Sequence, residues 1–191
     1  MASILAGHPE ISLALSATIY NFAIQLSDVD RGVYQSLALK VARHPSEAED
    51  HLVTRVLAYC LEFTEGLSFS RGLSEPDEPA LAVRDLTGEL RAWIDIGAPD
   101  AARLHKAAKA APRVAVYTHK APALLRSLAG ERIHRAEAIE LYAFDRELIT
   151  GLVAGLQRRM SFDLSVTDAH LFVSMEGATL SGDVERLTIG K

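Results

Sequence analysis

The feature that most constrains the fold is a predicted β-hairpin near the middle of the chain, with acidic residues at its open end. Two short apolar stretches, 80–85 and 89–96, flank Thr87-Gly88, a dipeptide typical of a tight turn. A hairpin fixes the register of its strands, so it also fixes which side chains lie opposite each other. The segment therefore predicts both a sheet and a place where carboxylates meet.

Two registers are compatible with this turn. If Thr87-Gly88 forms the loop, Asp95 lies opposite Ala80, and Glu78 is its diagonal neighbour on the same face. If Leu86-Thr87 forms the loop, Asp95 lies directly opposite Glu78. Both registers place Glu78 and Asp95 close together on one face of the sheet.

Asp85 occupies the turn end of the same hairpin. It lies roughly 20–30 Å from Asp95 at about 3.3 Å per residue, so we exclude it from any site built on Asp95. Like charges that face each other destabilise a sheet. Glu78 and Asp95 therefore need a neighbouring cation, a metal ion, a raised pKa or exposure to solvent.

The rest of the chain alternates between strand and helix patterns. Residues 18–26 and 37–41 have apolar side chains at every second position, which predicts two half-buried strands. Ser46 followed by Glu49 forms a capping box that predicts a helix start. Further strands are predicted near Leu67, at 114–117, 139–144, 162–166, 171–175 and 184–189; helices at Pro99–Pro112, Ala123–Leu128 and Asp145 to about Met160; and a turn at 181–183. We predict one mixed α/β domain over residues 13–191, preceded by a loose leader at 1–12.

Composition restricts the class of protein. The chain has 191 residues, of which 49% are hydrophobic, and a mean hydropathy of +0.10, which fits a domain with a full core. Cys60 is the only cysteine, so an intrachain disulfide is impossible. No apolar run reaches the length of a membrane span, and we expect no membrane association and a cytoplasmic location.

The charge is unevenly distributed along the chain. The net charge of -5 argues against strong non-specific binding to DNA. Residues 45–100 carry 12 Asp and Glu against 4 Lys and Arg, whereas residues 101–135 carry 8 Lys and Arg against one Glu. This asymmetry suits either a metal next to a phosphate or two solvated faces of opposite sign.

Several sequence blocks, taken together, resemble the signature blocks of the YaeQ family. The blocks are Ala42-Arg43-His44-Pro45-Ser46-Glu47, Glu75-Pro76-Asp77-Glu78-Pro79, Asp85-Leu86-Thr87-Gly88, Trp93-Ile94-Asp95-Ile96-Gly97 and Val116-Tyr117-Thr118. The resemblance covers the chain from about Ala17 to about Ile189. It implies a fold similar to the PD-(D/E)xK nuclease superfamily, whose core order is helix, three strands, helix and strand.

The resemblance also implies a magnesium site. In that superfamily Mg²⁺ is held by an acid on the second core strand and an acid on the third, often with a glutamate from the first helix. These positions match Glu78 (or its neighbour Ala80), Asp95 and Glu47. The lysine expected two residues after the third-strand acid is replaced by Gly97, and Lys106 on the following helix is the nearest substitute.

Two functions of different classes follow. The first is a Mg²⁺-dependent nuclease or phosphodiesterase, with Glu78, Asp95 and Glu47 on the metal and Lys106 stabilising the developing charge. The second is a non-catalytic binding or regulatory protein on a nuclease-like scaffold. The expected partner is a nucleic acid or another phosphodiester, and a protein partner is also compatible with the sequence. Arg55 is predicted to pair with an acid on a neighbouring element, with a phosphate contact as the alternative.

Overall fold

The computed structural model describes residues 17–70 and 78–189. Over these residues the chain forms a mixed α/β fold. The strands are β1 Thr18–Asp28, β2 Val33–Arg43, β3 Leu67–Phe69, β4 Leu81–Arg84, β5 Leu90–Ile96, β6 Arg113–Thr118, β7 Glu140–Phe144, β8 Arg159–Thr167, β9 His170–Met175 and β10 Ala178–Leu187. The helices are α1 Glu49–Leu61, α2 Ala101–Ala110, α3 Ala121–Leu128 and α4 Arg146–Ala154. The predicted leader, 1–12, and Asp77 lie outside the described residues.

The ten strands form one continuous sheet in the order β2-β1-β8-β9-β10-β7-β6-β5-β4-β3. The antiparallel pairing of β10 with β7 joins a half built from β2, β1, β8, β9 and β10 to a half built from β3 to β7. Within the second half, β5, β6 and β7 are parallel. Their carboxyl ends therefore meet at one edge of the sheet.

The segment from α1 to β6 has the predicted element order. α1 is followed by β3, β4 and β5, then by α2 and β6. The apolar stripe of α1, which includes Leu52, Val56, Leu57 and Cys60, is fully buried, and the helix packs against β5, β6 and α4. This packing positions the first turn of α1 beside the carboxyl ends of β5 and β6.

The hairpin formed by β4 and β5 follows the first of the two predicted registers over its inner part. Leu81 pairs with Ile94, and Val83 pairs with Ala92. A bulge after Val83 then shifts the register, so that Arg84 pairs with Leu90. Continuing the inner register places Ala80 opposite Asp95, with Glu78 on the same face.

Asp85 lies in the turn of this hairpin, as expected. Its carboxylate accepts hydrogen bonds from the backbone N–H groups of Thr87 and Glu89 and from Arg91. These local contacts stabilise the turn, and they separate Asp85 from the acids at the opposite end of the strands.

The predicted capping box at Ser46 and Glu49 is wrong. α1 starts at Glu49, its N-cap is Ala48, and no side chain caps it. The Ser46 hydroxyl instead lies 2.6 Å from Nδ1 of His44. Ala48 has an extended backbone (φ -69°, ψ 152°), so the helix does not continue back through it, and Glu47 turns its carboxylate inward to a buried arginine.

Two further predictions near the C-terminus are corrected by the structure. The helix predicted to run to about Met160 ends at Ala154, and Met160 belongs to β8. The predicted turn at 181–183 lies inside β10. Gly182 allows close approach there, because a Cβ on it would lie 2.7 Å from Cβ of Asp145 and 2.9 Å from Cβ of Leu148. The glycine thus marks a contact between strand and helix rather than a turn.

Candidate functional site

A polar cleft lies at the carboxyl ends of β5 and β6. β5 ends at Ile96 and is followed by Gly97, whose N–H donates to the carbonyl of Tyr117 on β6 at 2.8 Å. β6 ends at Thr118 and is followed by His119. Ligands of α/β sheets commonly bind outside the carboxyl ends of parallel strands, so the position by itself favours a functional site.

The cleft has a volume of about 380 Å³. Its polar lining residues include His51, Ser70, Glu78, Asp95, Arg103, His119 and Lys120. The two basic side chains and the two imidazoles therefore outnumber the two acids along its walls. The volume matches the lower range of small-molecule sites.

Asp95 forms a buried, two-pronged ion pair with Arg103. The carboxylate is 1% exposed; its Oδ2 accepts from Nε of Arg103 at 2.8 Å, and its Oδ1 accepts from Nη2 at 2.7 Å. Nη2 also donates to the backbone carbonyl of Glu78 at 2.8 Å, and the guanidinium stacks over the Trp93 ring at 5.6 Å. Arg103 thus fixes the end of β5 to the segment that leads into β4.

Asp100 is the residue that places Arg103 in this position. It is the N-cap of α2, and its side chain accepts from the N–H of Arg103 at 2.8 Å. The cap sets where the first turn of α2 begins. The side chain three residues later then reaches back to Asp95.

Glu47 forms a second buried pair, behind the cleft. Its Oε2 accepts from Nη2 of Arg55 at 2.9 Å, and its Oε1 accepts from Nε of Arg55 at 3.1 Å. Both side chains are almost fully buried. Burial lowers the pKa of the Arg55 guanidinium, and Glu47 offsets part of this effect. The predicted ion pair of Arg55 is confirmed, but its partner lies just before the same helix and not on a neighbouring element.

His51 connects Glu47 to the cleft. Its Nδ1 lies 2.7 Å from Oε1 of Glu47, so the carboxylate orients the imidazole and favours the tautomer with a proton on Nδ1. The ring faces Gly97: a Cβ at that position would lie 3.4 Å from Cδ2 and 3.8 Å from Nε2 of His51. The imidazole therefore occupies the space in front of the position where the nuclease pattern has lysine.

A second imidazole lies next to it. Nε2 of His119 is 3.0 Å from Oδ2 of Asp50, but this buried contact is not aligned as a hydrogen bond. Nδ1 of His119 lies 2.9 Å from the Thr54 hydroxyl. Burial lowers the pKa of His119, and Asp50 offsets only part of this effect. At neutral pH His119 is therefore an uncharged neighbour of His51.

Asp50 lies at the edge of this group and is also close to a lysine. Lys120 Nζ is 3.6 Å from its Oδ2. Burial acts to raise the pKa of Asp50, but His119, Lys120 and the N–H of His51 outweigh it, so the pKa is below its ordinary value. Asp50 is therefore charged at neutral pH and partly neutralises Lys120.

The structure brings some of the predicted site residues together and separates others. Asp95 and Glu78 line the same cleft, and Glu47 reaches it through His51. The cation that pairs with Asp95 is Arg103. Lys106 lies one helical turn further along α2, where it is exposed. It is not among the described residues that line the cleft. The catalytic and metal-binding roles of Glu78, Asp95, Glu47 and Lys106 remain predictions.

The sequence pattern does not single out Arg103 or His51. Two signals could have found them. His51 is four residues after Glu47, the spacing of neighbours on one helix face, and Arg103 is three residues after the N-cap aspartate of a helix.

The predicted acids do not fit a magnesium ion in this arrangement. Mg²⁺ has near-octahedral geometry, keeps several waters and is usually bound through one or two carboxylates. Both oxygens of Asp95 bind Arg103, and both oxygens of Glu47 bind Arg55. Within residues 17–70 and 78–189, no three His, Cys, Asp or Glu side chains are grouped so that they could hold a metal ion.

These features define a class: a mixed α/β protein with a polar cleft at the carboxyl ends of parallel strands, whose buried acids are neutralised by arginines. The family model described as "YaeQ protein" matches residues 13–184. The chain therefore belongs to the YaeQ family, as the sequence blocks indicated.

Relatives and solved structures agree with this assignment. The chain is 30% identical over 164 residues to "Uncharacterized protein YaeQ" of Escherichia coli (strain K12), covering 85% of this chain and 91% of that protein. The crystal structure of YaeQ protein from Xanthomonas axonopodis pv. citri is 30% identical and aligns with a TM-score of 0.76 over 92% of this chain and 100% of that one. YaeQ protein from Pseudomonas syringae, also 30% identical, aligns with a TM-score of 0.78 over 92% and 97%.

None of the described helices combines the length and the apolar composition that crossing a membrane requires.

Proposed function

We propose that the protein binds a phosphodiester or another phosphate-bearing ligand in the cleft at the carboxyl ends of β5 and β6. It would do so as a binding protein on a nuclease-like scaffold, without the magnesium chemistry of a nuclease. Two features support the proposal. The elements from α1 to β6 follow the predicted nuclease-like order, and the polar groups of the cleft are mainly cations and imidazoles.

The observation that carries the proposal is the fork of Arg103 on Asp95. Removing one partner from a buried ion pair costs about 3–5 kcal/mol, and each 1.4 kcal/mol is about a tenfold change in affinity. A metal that displaced Arg103 from Asp95 would therefore lose roughly two to four powers of ten in affinity. Arg103 also lines the cleft, and guanidinium groups are common ligands of phosphate oxygens.

Lys120 and His51 supply the other groups that a phosphate needs. The Lys120 side chain is 53% exposed and lines the cleft, so it can approach an anion without a large desolvation cost. The net charge of -5 disfavours a long nucleic-acid track. The ligand is therefore expected to be short, with one or two phosphate groups.

A magnesium-dependent phosphodiesterase is the second candidate, and one observation favours it. Glu78 and Asp95 line one cleft, as the nuclease pattern requires. The Glu78 side chain is exposed and would be available to a cation.

The first experiment measures ligand binding. Titration of the protein with a 5′-phosphorylated thymidine dinucleotide, followed by ¹H–¹⁵N NMR, should shift the amide signals of Gly97, His51 and Lys120. Lys120→Gln should weaken binding about tenfold, the value of one charge-assisted hydrogen bond. Lys109→Gln, at an exposed position near the end of α2, is the matched control. No binding, or equal loss in both variants, would contradict the proposal.

A second titration separates the two candidates. Mn²⁺ binding can be followed by the electron paramagnetic resonance signal of the free ion in the parent, Glu78→Gln and Asp95→Asn proteins. If the protein is a binding protein without a metal site, the parent should bind no Mn²⁺ with a dissociation constant of about 1 mM or lower that depends on Glu78 or Asp95. A site lost in Glu78→Gln, whose exposed side chain can change without disturbing the core, would establish the magnesium alternative instead.

A further inference from the structure

We propose that the Glu47–His51 pair makes this cleft a metal-independent phosphodiester hydrolase, with Nε2 of His51 as the general base. This inference goes beyond binding, and it rests on the proposed function for the class of ligand.

The first argument is the rigid orientation of the imidazole. Nδ1 of His51 lies 2.7 Å from a carboxylate oxygen of Glu47, and that carboxylate is held on both oxygens by Arg55. Arg55 is itself anchored by a 2.8 Å hydrogen bond to the carbonyl of Ala42. A carboxylate that accepts from Nδ1 fixes the tautomer in which Nε2 carries a lone pair, which is the role of the aspartate in a serine-protease triad.

Nε2 of His51 is accessible to solvent in the cleft. The His51 side chain is 27% exposed and lines the cleft. Its Nε2 is neither buried nor hydrogen-bonded within the described part of the chain. Gly97, whose φ of +89° suits glycine, lies beside the ring without a side chain that would cover it. The lone pair of Nε2 is thus available to a water molecule in the cleft.

The third argument is the charge around the reacting centre. Arg103 and Lys120 line the same cleft and can stabilise negative charge that develops on non-bridging phosphate oxygens. The titratable and charged groups that face His51 are Glu47 and Asp50 from its own segment, and His119 and Lys120 from the end of β6. Asp95, with Arg103, and Glu78 face it across the cleft.

The chemical step is a hydrolysis. Nε2 of His51 takes a proton from water while the water oxygen forms a bond to phosphorus. The bond from phosphorus to the leaving oxygen breaks, and its electron pair stays on that oxygen. The leaving oxygen receives a proton from the imidazolium or from solvent, so a diester and water yield a monoester and an alcohol. No redox change and no metal is required.

The test uses bis(p-nitrophenyl) phosphate in the presence of EDTA, with release of p-nitrophenolate as the readout. The parent protein should hydrolyse this diester at neutral pH. His51→Gln and His51→Asn should each lower the rate by at least about 100-fold. His134→Gln, an exposed histidine in the loop after α3, should leave it unchanged.

A second readout does not depend on activity. The ¹⁵N chemical shifts of the His51 ring should show the Nδ1-protonated tautomer in the parent protein. Glu47→Gln should lose this tautomer preference. If Glu47 were merely structural, the substitution would lower the unfolding free energy and leave the ring tautomer unchanged.

The results of these experiments distinguish failure of this inference from failure of the proposed function. No hydrolysis in EDTA, or His51 variants that hydrolyse the diester as fast as the parent protein, overturns the inference. Hydrolysis that appears only with Mg²⁺ and is lost in Glu78→Gln overturns it in favour of metal catalysis. If the dinucleotide binds but the diester is not hydrolysed, only this inference fails. If the dinucleotide does not bind, the proposed function fails as well.

Discussion

At the residue scale, the cleft is organised by two arginines that hold two buried carboxylates. Arg55 binds Glu47 behind the cleft, and Arg103 binds Asp95 within it. The sequence pattern predicted that Glu78 and Asp95 need a compensating cation, and Arg103 supplies one for Asp95. Arg103 lies one turn closer to the start of α2 than Lys106, and the catalytic role of Lys106 stays a prediction.

The Glu47–Arg55 pair can be tested by removing its negative charge. Glu47→Gln leaves the guanidinium of Arg55, 3% exposed, without its counter-ion. We expect the free energy of unfolding to fall by about 3–5 kcal/mol, measured by urea denaturation. The control is Glu49→Gln, whose side chain is 44% exposed and 3.4 Å from Arg43. It should cost less than about 1 kcal/mol, and similar losses in both variants would contradict the role given to Glu47.

At the element scale, helix starts decide where the functional side chains lie. α2 and α4 begin at aspartate N-caps, Asp100 and Asp145, whereas α1 begins at Ala48 with no side-chain cap. The capping-box pattern at Ser46 is therefore satisfied in sequence but not used. Because α1 starts after Glu47, the carboxylate of that residue can turn back to Arg55 and His51 instead of joining the first helical turn.

Two alanine substitutions test this assignment of helix starts. Asp145 accepts from the N–H groups of Glu147 and Leu148, so Asp145→Ala should lower the free energy of unfolding by about 1 kcal/mol. Alanine keeps the Cβ that packs against Gly182. Ser46→Ala should cost less than about 0.5 kcal/mol, since Ser46 is exposed and caps no helix. Urea denaturation measures both, and a larger loss at Ser46 would restore the capping-box prediction.

At the scale of the whole molecule, the two halves of the sheet share one core. The main apolar cluster contains Phe22 and Ile24 of β1 together with Ile94, Tyr117 and Phe144 of the other half. A second cluster, around Trp93 and Leu104, lies under α2 and α3. The backbone pairing of β10 with β7 makes the sheet continuous. The prediction of a single domain over 13–191 therefore has a direct thermodynamic consequence.

We expect the chain to unfold in one cooperative transition. Trp93 is the only tryptophan and reports on the second cluster, whereas far-UV circular dichroism reports on the helices and strands of both halves. Because the main cluster crosses from one half to the other, the two signals should give the same urea midpoint. Two separate midpoints would show that the halves unfold independently and would contradict a single domain.

The sequence by itself determined the strands and the place where acids meet. Alternation with period two fixed the exposed and buried faces of β1, β2 and the β4–β5 hairpin, since a shift of one residue would move every apolar side chain to the wrong face. The same rule placed Glu78 and Asp95 on one face of the sheet and excluded Asp85 from a site built on Asp95. It did not determine where strands and helices end near Gly182 and Met160, because those limits depend on close packing between β10 and α4.

Only the tertiary structure decided which groups pair at the cleft. Arg103 reaches Asp95 because α2 crosses back over the end of β5, and His51 faces Gly97 because α1 packs against β5 and β6. These contacts join residues on different helices and strands, so the periodicity of one segment does not predict them. A long side chain can also reach several partners, and only the packing decides which one it binds. The sequence thus put Glu78 and Asp95 together, and the packing of α1 and α2 decided which side chains surround them in the cleft.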